Sequence, residues 1–260
     1  MKHIILLATA NQTGLMPFLE RSEKLLHTSY QKYFKAFSLE EVFGLKPVSV
    51  VAGQEGSFDQ LVSKVENEIK LEQYGKEHGY TIDLLRGLEN ETTLMSQTSV
   101  ADLMIIEMGN LKKGHSLESL KNLIDQSACP VLLLPQNFKV ECMVVTLEGN
   151  QQTVRMVKSL LKLFAEEFRD LPLSLLMIEP EDELEIQKER VLVNYLKLHF
   201  KNMGAQHMYD EPLTSLFKYV QNECQNPLVI VDPELGNELL DCTELFETQL
   251  FNHPIFIYKD

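Results

Sequence analysis

A chain of 260 residues with 44% apolar and 24% charged residues, 12 Gly and 10 Pro can build the core of one large domain or two small ones, which excludes extensive disorder and collagen-like repeats. Lys and Arg number 24 against 38 Asp and Glu, and the formal net charge of −14 repels phosphate backbones and anionic bilayers, so neither nucleic acid nor membrane is expected as a partner. The start, Met1 to Ala10, imitates a leader peptide, but its continuous apolar run, Ile4 to Ala8, falls short of the about 7–15 residues a secretory segment needs. Cys129, Cys142, Cys224 and Cys242 form no CxxC pair and no zinc spacing, so they read as small apolar residues in a reducing compartment, and the expected location is cytoplasmic.

Apolar runs of strand length alternate with longer stretches at helical spacing, the pattern of parallel α/β architecture. In chain order the first half predicts a strand at His3–Thr9, a helix over Met16–His27, and a helix over Phe58–His78 stopped by Gly79. A strand at Thr81–Leu85, a short helix from Thr92, a strand at Leu103–Met108, a helix over Ser116–Ser127 and a strand at Val131–Leu134 follow. One more strand belongs between residues 30 and 52, where Val48–Ala52 fits as a buried strand and Tyr33–Leu39 is its rival. The second half predicts strands at Cys142–Leu147, Leu173–Ile178, Gln206–Tyr209, Leu228–Asp232 and Ile255–Tyr258. Between them lie helices over Gln151–Phe168, Asp182–Asn202, Leu213–Glu223 and Thr243–Leu250.

The halves correspond by offset. Gly79 maps to Gly204 and Leu103-Met104-Ile105-Ile106 to Leu228-Val229-Ile230-Val231 at a spacing of 125, while Cys129-Pro130-Val131-Leu132 maps to His253-Pro254-Ile255-Phe256 at 124. Segments of different type keeping one offset indicate a duplicated domain. The first strands differ by about 138, which places an insertion of roughly 13 residues in the first copy, within Ser29–Gly56. Pro135–Val140 is the expected joint, giving domains of residues 1–137 and 138–260 with net charges near −4 and −10.

Ala101-Asp102-Leu103-Met104-Ile105-Ile106-Glu107-Met108-Gly109, a helix, and then Cys129-Pro130-Val131-Leu132-Leu133-Leu134-Pro135 resemble the end of a universal stress protein domain. The second copy keeps Pro227-Leu228-Val229-Ile230-Val231 and Pro254-Ile255-Phe256-Ile257. The resemblance implies two tandem open parallel five-stranded sheets flanked by helices, adenine nucleotide alpha hydrolase-like, with ATP bound by some members and not by others. It also implies that Val131–Leu134 and Ile255–Tyr258, as sheet-edge strands, pair with each other and pack the domains as a pseudo-dimer, leaving a monomer or weak homodimer.

In ATP-binding members an acid-glycine-serine turn follows the first strand and a Gly-x-x-Gly, nine residues, Gly-Ser/Thr loop precedes the last helix, where backbone N–H groups and the helix dipole hold phosphates. At the Gly-Ser position this sequence carries Leu117 and Glu118 in one copy and Asp241 and Cys242 in the other, with Gly109, Gly114 and Gly236 the only nearby glycines. Thr9-Ala10-Asn11 replaces the first turn, and Glu148-Gly149-Asn150 keeps its shape in the second copy, where Glu148 could reach a ribose hydroxyl. The substitutes have local roles: Asp241 with Glu244 reads as a capping box, and Ser116 with Glu118 as a cap and first-turn acid.

Lys112, Lys113 and His115 form the basic cluster nearest the family's phosphate position and are the anion candidates, with Glu148 beside them as a cofactor-contact candidate. No metal-ligand spacing, nucleophile elbow or catalytic constellation is present in the sequence. The acidic run Glu179 to Glu185 reads as a solvated helix start. The sequence therefore predicts a non-enzymatic stress-response or interaction module for an unidentified protein partner, with ATP binding lost and no cofactor. An adenine-nucleotide sensor with one modified site and a phosphate-ester hydrolase on the same fold are the alternatives.

Overall fold

A computed structural model describes residues 2–9, 14–43, 56–85, 91–108, 116–147, 151–178, 182–242 and 249–259; within these, the side chains of residues 40–41, 56–65, 91–92, 116–117, 147, 151–153, 178 and 249 lie outside the description. The chain divides into two compact units, Met1–Cys129 and Pro130–Asp260. Among the described residues no helix is long and apolar enough to cross a membrane.

The first unit runs β1 (Lys2–Thr9), α1 (Leu15–Glu23), β2 (Gln31–Ser38), α2 (Leu39–Val42), α3 (Gly56–His78), β3 (Thr81–Leu84), α4 (Glu91–Thr98), β4 (Leu103–Glu107) and α5 (Ser116–Gln126). Its strands are parallel in the order β3-β2-β1-β4. The apolar runs of β1 and β4 explain their central place, since a strand buried on both faces must be apolar throughout. β3, at the edge, has no fully buried residue. Helix α3 stops where Gly79 turns the chain through φ +70°, a conformation glycine takes without steric cost.

The second unit contains β5 (Val131–Leu134), β6 (Cys142–Leu147), α6 (Gln151–Leu163), β7 (Leu173–Ile178), α7 (Glu183–Lys197), β8 (Met203–Met208), α8 (Pro212–Asn222), β9 (Pro227–Val231), α9 (Pro233–Asp241) and β10 (Ile255–Ile257). A short 3-10 turn, Glu166–Asp170, follows α6 where the sequence predicted one continuous helix. Strands β8-β7-β6-β9-β10 are parallel, and β5 adds antiparallel to β10 with Leu133 opposite Ile255 and Val131 opposite Ile257. The two apolar terminal strands are thus neighbours, and each covers an edge of the other. Phe164, just after α6, meets Phe256 on β10 edge to face, centroids 5.5 Å apart, within this core.

Register supports the offsets. Ile5 pairs with Leu103 and Met143 with Leu228, separations of 138 and 125 between the units. From Phe34 to Leu173 the offset is 139, and from Ile82 to Met203 it is 121, so the extra residues of the first unit lie between β2 and β3.

Three expectations need correction. The second strand is Gln31–Ser38, the rival assignment; its Phe34, Ala36 and Phe37 are buried, and alternation with Lys32 and Lys35 had hidden a strand beneath polar residues, while Val48–Ala52 lies outside the described residues. Gly204 stands inside β8 and stops no helix, since α7 ends earlier, at Lys197. A helix the sequence reading did not give, Pro233–Asp241, begins directly after β9, and residues 243–248 of the expected helix over Thr243–Leu250 lie outside the described residues. Cys142 and Cys224 are disulfide-bonded across 82 residues, tying the start of β6 to the end of α8, so they are not independent apolar fillers. Cys129 is free and buried, and burial pushes its thiol up to about 11.

Candidate functional site

In an open sheet whose strand order reverses, ligands enter at the carboxyl ends of the two strands flanking the reversal. Those strands are β1 and β4 in the first unit and β6 and β9 in the second. Each point receives an acidic residue at the same offset of 125: Glu107 closes β4 and Asp232 follows β9.

In the first unit Glu107 is buried, its side chain 6% exposed, and Arg21 from α1 reaches across to donate from Nη2 to its Oε1 at 2.5 Å. Burial pushes the Glu107 carboxyl above the usual range, with Arg21 pulling against it. Gly14, just before α1, brings its backbone over the same carboxylate: a Cβ added there would lie 3.6 Å from Oε2. Thr9, the last residue of β1, is buried beside this point. The Arg21 guanidinium, a positive charge that could meet a phosphate, is already paired with Glu107.

In the second unit the helix N-terminus is itself the closed element. Asp232 caps α9 by accepting a hydrogen bond from the Leu235 N–H at 2.9 Å, and Pro233 occupies the first helical position. The carboxylate takes the donor and the dipole field that a phosphate would use. Gly236 serves packing: a Cβ there would come within 2.7 Å of Ile257 Cγ2, so the glycine lets α9 lie close on β10. Asp241 and Cys242 stand at the C-terminal end of α9, and Glu244, with which Asp241 is expected to form a capping box, lies outside the described residues. Thr146, buried at the end of β6, donates to the Ile230 carbonyl at 3.4 Å.

The anion and cofactor candidates Lys112, Lys113, His115 and Glu148 lie outside the described residues, as do Gly109, Gly114, Asn11, Gly149 and Asn150. Glu118 is in the first turn of α5 and exposed. The acidic helix start is as expected where described: Asp182 caps α7 by accepting from the Glu185 N–H at 2.8 Å.

Sequence reading missed three features. Asp232-Pro233 after an apolar strand was a legible helix start. Arg21 carries no local signal, because its partner is 86 residues away. The third is a part-buried polar network at the opposite ends of the first unit's strands. There Lys32 sits beside His3 in register, with its Nζ 3.4 Å from the Tyr80 hydroxyl. Tyr80 and Tyr74 each donate to Glu23 at 2.5 Å. Burial holds the Lys32 ammonium below its usual range, with Glu23 opposing, and burial followed by the Glu23 hydrogen bonds raises both phenols. His3 Nδ1 lies 3.2 Å from Asp102 Oδ1. A polar groove of about 280 Å³ between β8 and α8 offers Lys218, but Asp210 holds that ammonium at 2.6 Å. Among the described residues no group of three or more His, Cys, Asp or Glu is arranged to hold a metal ion.

No protein-family model matches the chain, and no curated protein matches its sequence. Solved structures share its fold. A universal stress protein from Archaeoglobus fulgidus DSM 4304 is similar over 98% of this chain and 96% of its own, at 12% identity and a TM-score of 0.60. The cytoplasmic domain of a prokaryotic cation chloride cotransporter is similar over 100% and 96%, at 13% identity and a TM-score of 0.55. The chain therefore has an α/β fold of the universal stress protein type, with mostly parallel strands flanked by helices.

Proposed function

We propose that the chain is a non-catalytic universal stress protein-like module that has lost ATP binding and acts through protein contacts. The observation that carries this reading is the paired loss at Glu107 and Asp232: one acid is spent on Arg21, the other on the helix that a phosphate would occupy. Opening the Asp232 cap for a triphosphate would bring four negative charges against a carboxylate in a unit that is already acidic. The shared fold supports the class of module and leaves its activity to be argued from these sites.

The reading requires that ATP bind no more tightly than about millimolar, a free energy of about −4 kcal/mol or weaker. Isothermal calorimetry of the full chain with ATP, ADP and AMP tests it. Heats fitting a micromolar constant would replace it with the nucleotide-sensor alternative, and Lys112→Glu with Lys113→Glu would then show whether that basic cluster carries the anion. A broad phosphate-ester screen with no turnover above buffer is the expected result for the enzyme alternative.

A further inference from the structure

The Cys142–Cys224 bond sits in a clamp that does not depend on it. Cys142 opens β6, and Cys224 stands between α8 and β9, two residues before Asn226. Cys142 is in register with Pro227, so the β6–β9 ladder alone brings the two segments side by side. Beside the bond, the Glu141 N–H donates to the Asn226 carbonyl at 3.0 Å and Asn226 Nδ2 donates to Glu141 Oε2 at 2.7 Å. These contacts pin Asn226 at φ +53°, a left-handed conformation that Asn tolerates better than most residues and that turns the chain from α8 into β9. The sulfur of Cys142 lies 3.2 Å from the Gln225 carbonyl oxygen. A disulfide sulfur has no proton to give that oxygen, whereas a thiol has one, so the turn offers an acceptor that only the reduced form uses.

We propose that Cys142 and Cys224 are a reversible redox couple, a latch on the turn between α8 and β9 that opens and closes while the second unit stays folded. A disulfide that staples an otherwise insufficient core takes the fold with it when reduced. Here Val144, Val145, Val229 and Ile230 are buried in the sheet, and α8 is anchored by the buried Leu216 and Val220 and by the Tyr219 hydroxyl, which donates to Ser174 Oγ on β7 at 2.7 Å. Reduction removes the covalent tie and leaves ladder and clamp in place. The two thiols remain neighbours at an effective concentration above about a millimolar, so exchange closes the ring in preference to a lasting mixed disulfide. The co-reactant is a low-molecular-weight disulfide such as oxidised glutathione. One protein thiolate attacks it, forming a mixed disulfide and releasing one thiol, and the second protein thiolate then displaces the other. Two electrons and two protons pass from the cysteines to the reagent. Each cysteine of the pair is 8% exposed, at the rim of the unit, while Cys129 is 1% exposed and takes no part. The couple controls the end of α8 and the turn after it. Asn222 and Glu223 line the groove between β8 and α8, so that wall is held in the oxidised chain and loosened in the reduced one.

Hydrogen-exchange mass spectrometry of the full chain, oxidised and then reduced with dithiothreitol in the absence of denaturant, tests the couple, with far-UV spectra recorded alongside. Reduction leaves the far-UV spectrum unchanged and raises exchange at least about fivefold in residues 221–226 and at the start of β6, while β7 and β10 exchange as before. Returned to oxidised glutathione, the chain regains the Cys142–Cys224 bond alone by peptide mapping. Asn226→Gly keeps the backbone conformation, removes the side-chain clamp and slows that closure at least about threefold. Cys142→Ser with Cys224→Ser in one chain exchanges like the reduced parent in both buffers. A chain that unfolds on reduction overturns the proposal, since the bond would then be a structural staple. So does a bond that dithiothreitol reaches only in urea, re-oxidation that pairs Cys242 or leaves glutathione on the protein, or exchange in residues 221–226 that is indifferent to redox state.

Discussion

Glu107 and Asp232 occupy equivalent places at the ends of β4 and β9, yet they are stabilised in different ways. Glu107 is buried and depends on a residue 86 positions away, whereas Asp232 is satisfied by the backbone N–H of Leu235, three residues on. The first unit holds its acid by a tertiary contact and the second by a local one. The same chemical group at corresponding strand ends of the two units can thus be long-range and costly to break, or short-range and cheap. The second unit is also stapled by Cys142–Cys224, while Cys129 of the first is free.

The staple gives the largest expected difference. Replacing Cys142 and Cys224 together by Ser should cost the second unit about 3–4 kcal/mol in oxidising buffer, because the bond closes a loop of 82 residues. Urea unfolding with and without reductant measures this, and equal midpoints for parent and variant would mean the bond does not constrain the unit. Next is Arg21→Met, which strands the buried Glu107 carboxylate and should cost about 3 kcal/mol at pH 7. The sign with pH follows from the raised carboxyl: the folded state binds that proton more tightly, so stability falls as pH climbs from the unfolded value near 4.5 through the folded one. The penalty of Arg21→Met should therefore shrink toward pH 4, and a pH-independent loss would point to packing alone.

Asp232→Ala should cost only about 1 kcal/mol, the worth of a helix cap, and should be insensitive to changes in the first unit. A loss as large as that of Arg21→Met would erase the contrast between the two acids. The smallest effect is a slope. Lys32 has its proton affinity lowered by burial, so the unfolded chain holds that proton more tightly and stability rises as pH climbs through the depressed folded value toward 10.5. Lys32→Met should flatten that alkaline rise without loss of stability at pH 7, as read by thermal melts between pH 7 and 10.

Architecture was largely legible because buried parallel strands are written as unbroken apolar runs, as in Leu103–Ile106, Val131–Leu134 and Leu228–Val231. β2 was harder, since Lys32 interrupts its apolar pattern and is accommodated only by Tyr80 and Glu23, neither of which is near it in sequence. The site was less legible than the fold. Asp232 could be read from its neighbour Pro233 as a helix cap, while Glu244, the expected partner of Asp241, lies outside the described residues. Arg21 could not be read at all: an arginine in a short amphipathic helix has no local mark of the carboxylate it will meet. The Cys142–Cys224 bond was invisible for the same reason, as only the juxtaposition of β6 with the β9 approach brings the two sulfurs together.

The central claim is that both crevices are closed to a triphosphate, and calorimetric titration of ATP into the full chain tests it most directly. The account predicts no saturable heat below about 1 mM ATP, for the parent and for Asp232→Ala alike, since removing the carboxylate leaves Pro233 and the short approach to α9 unchanged. Saturable binding of ATP by the parent chain in the micromolar range would contradict it.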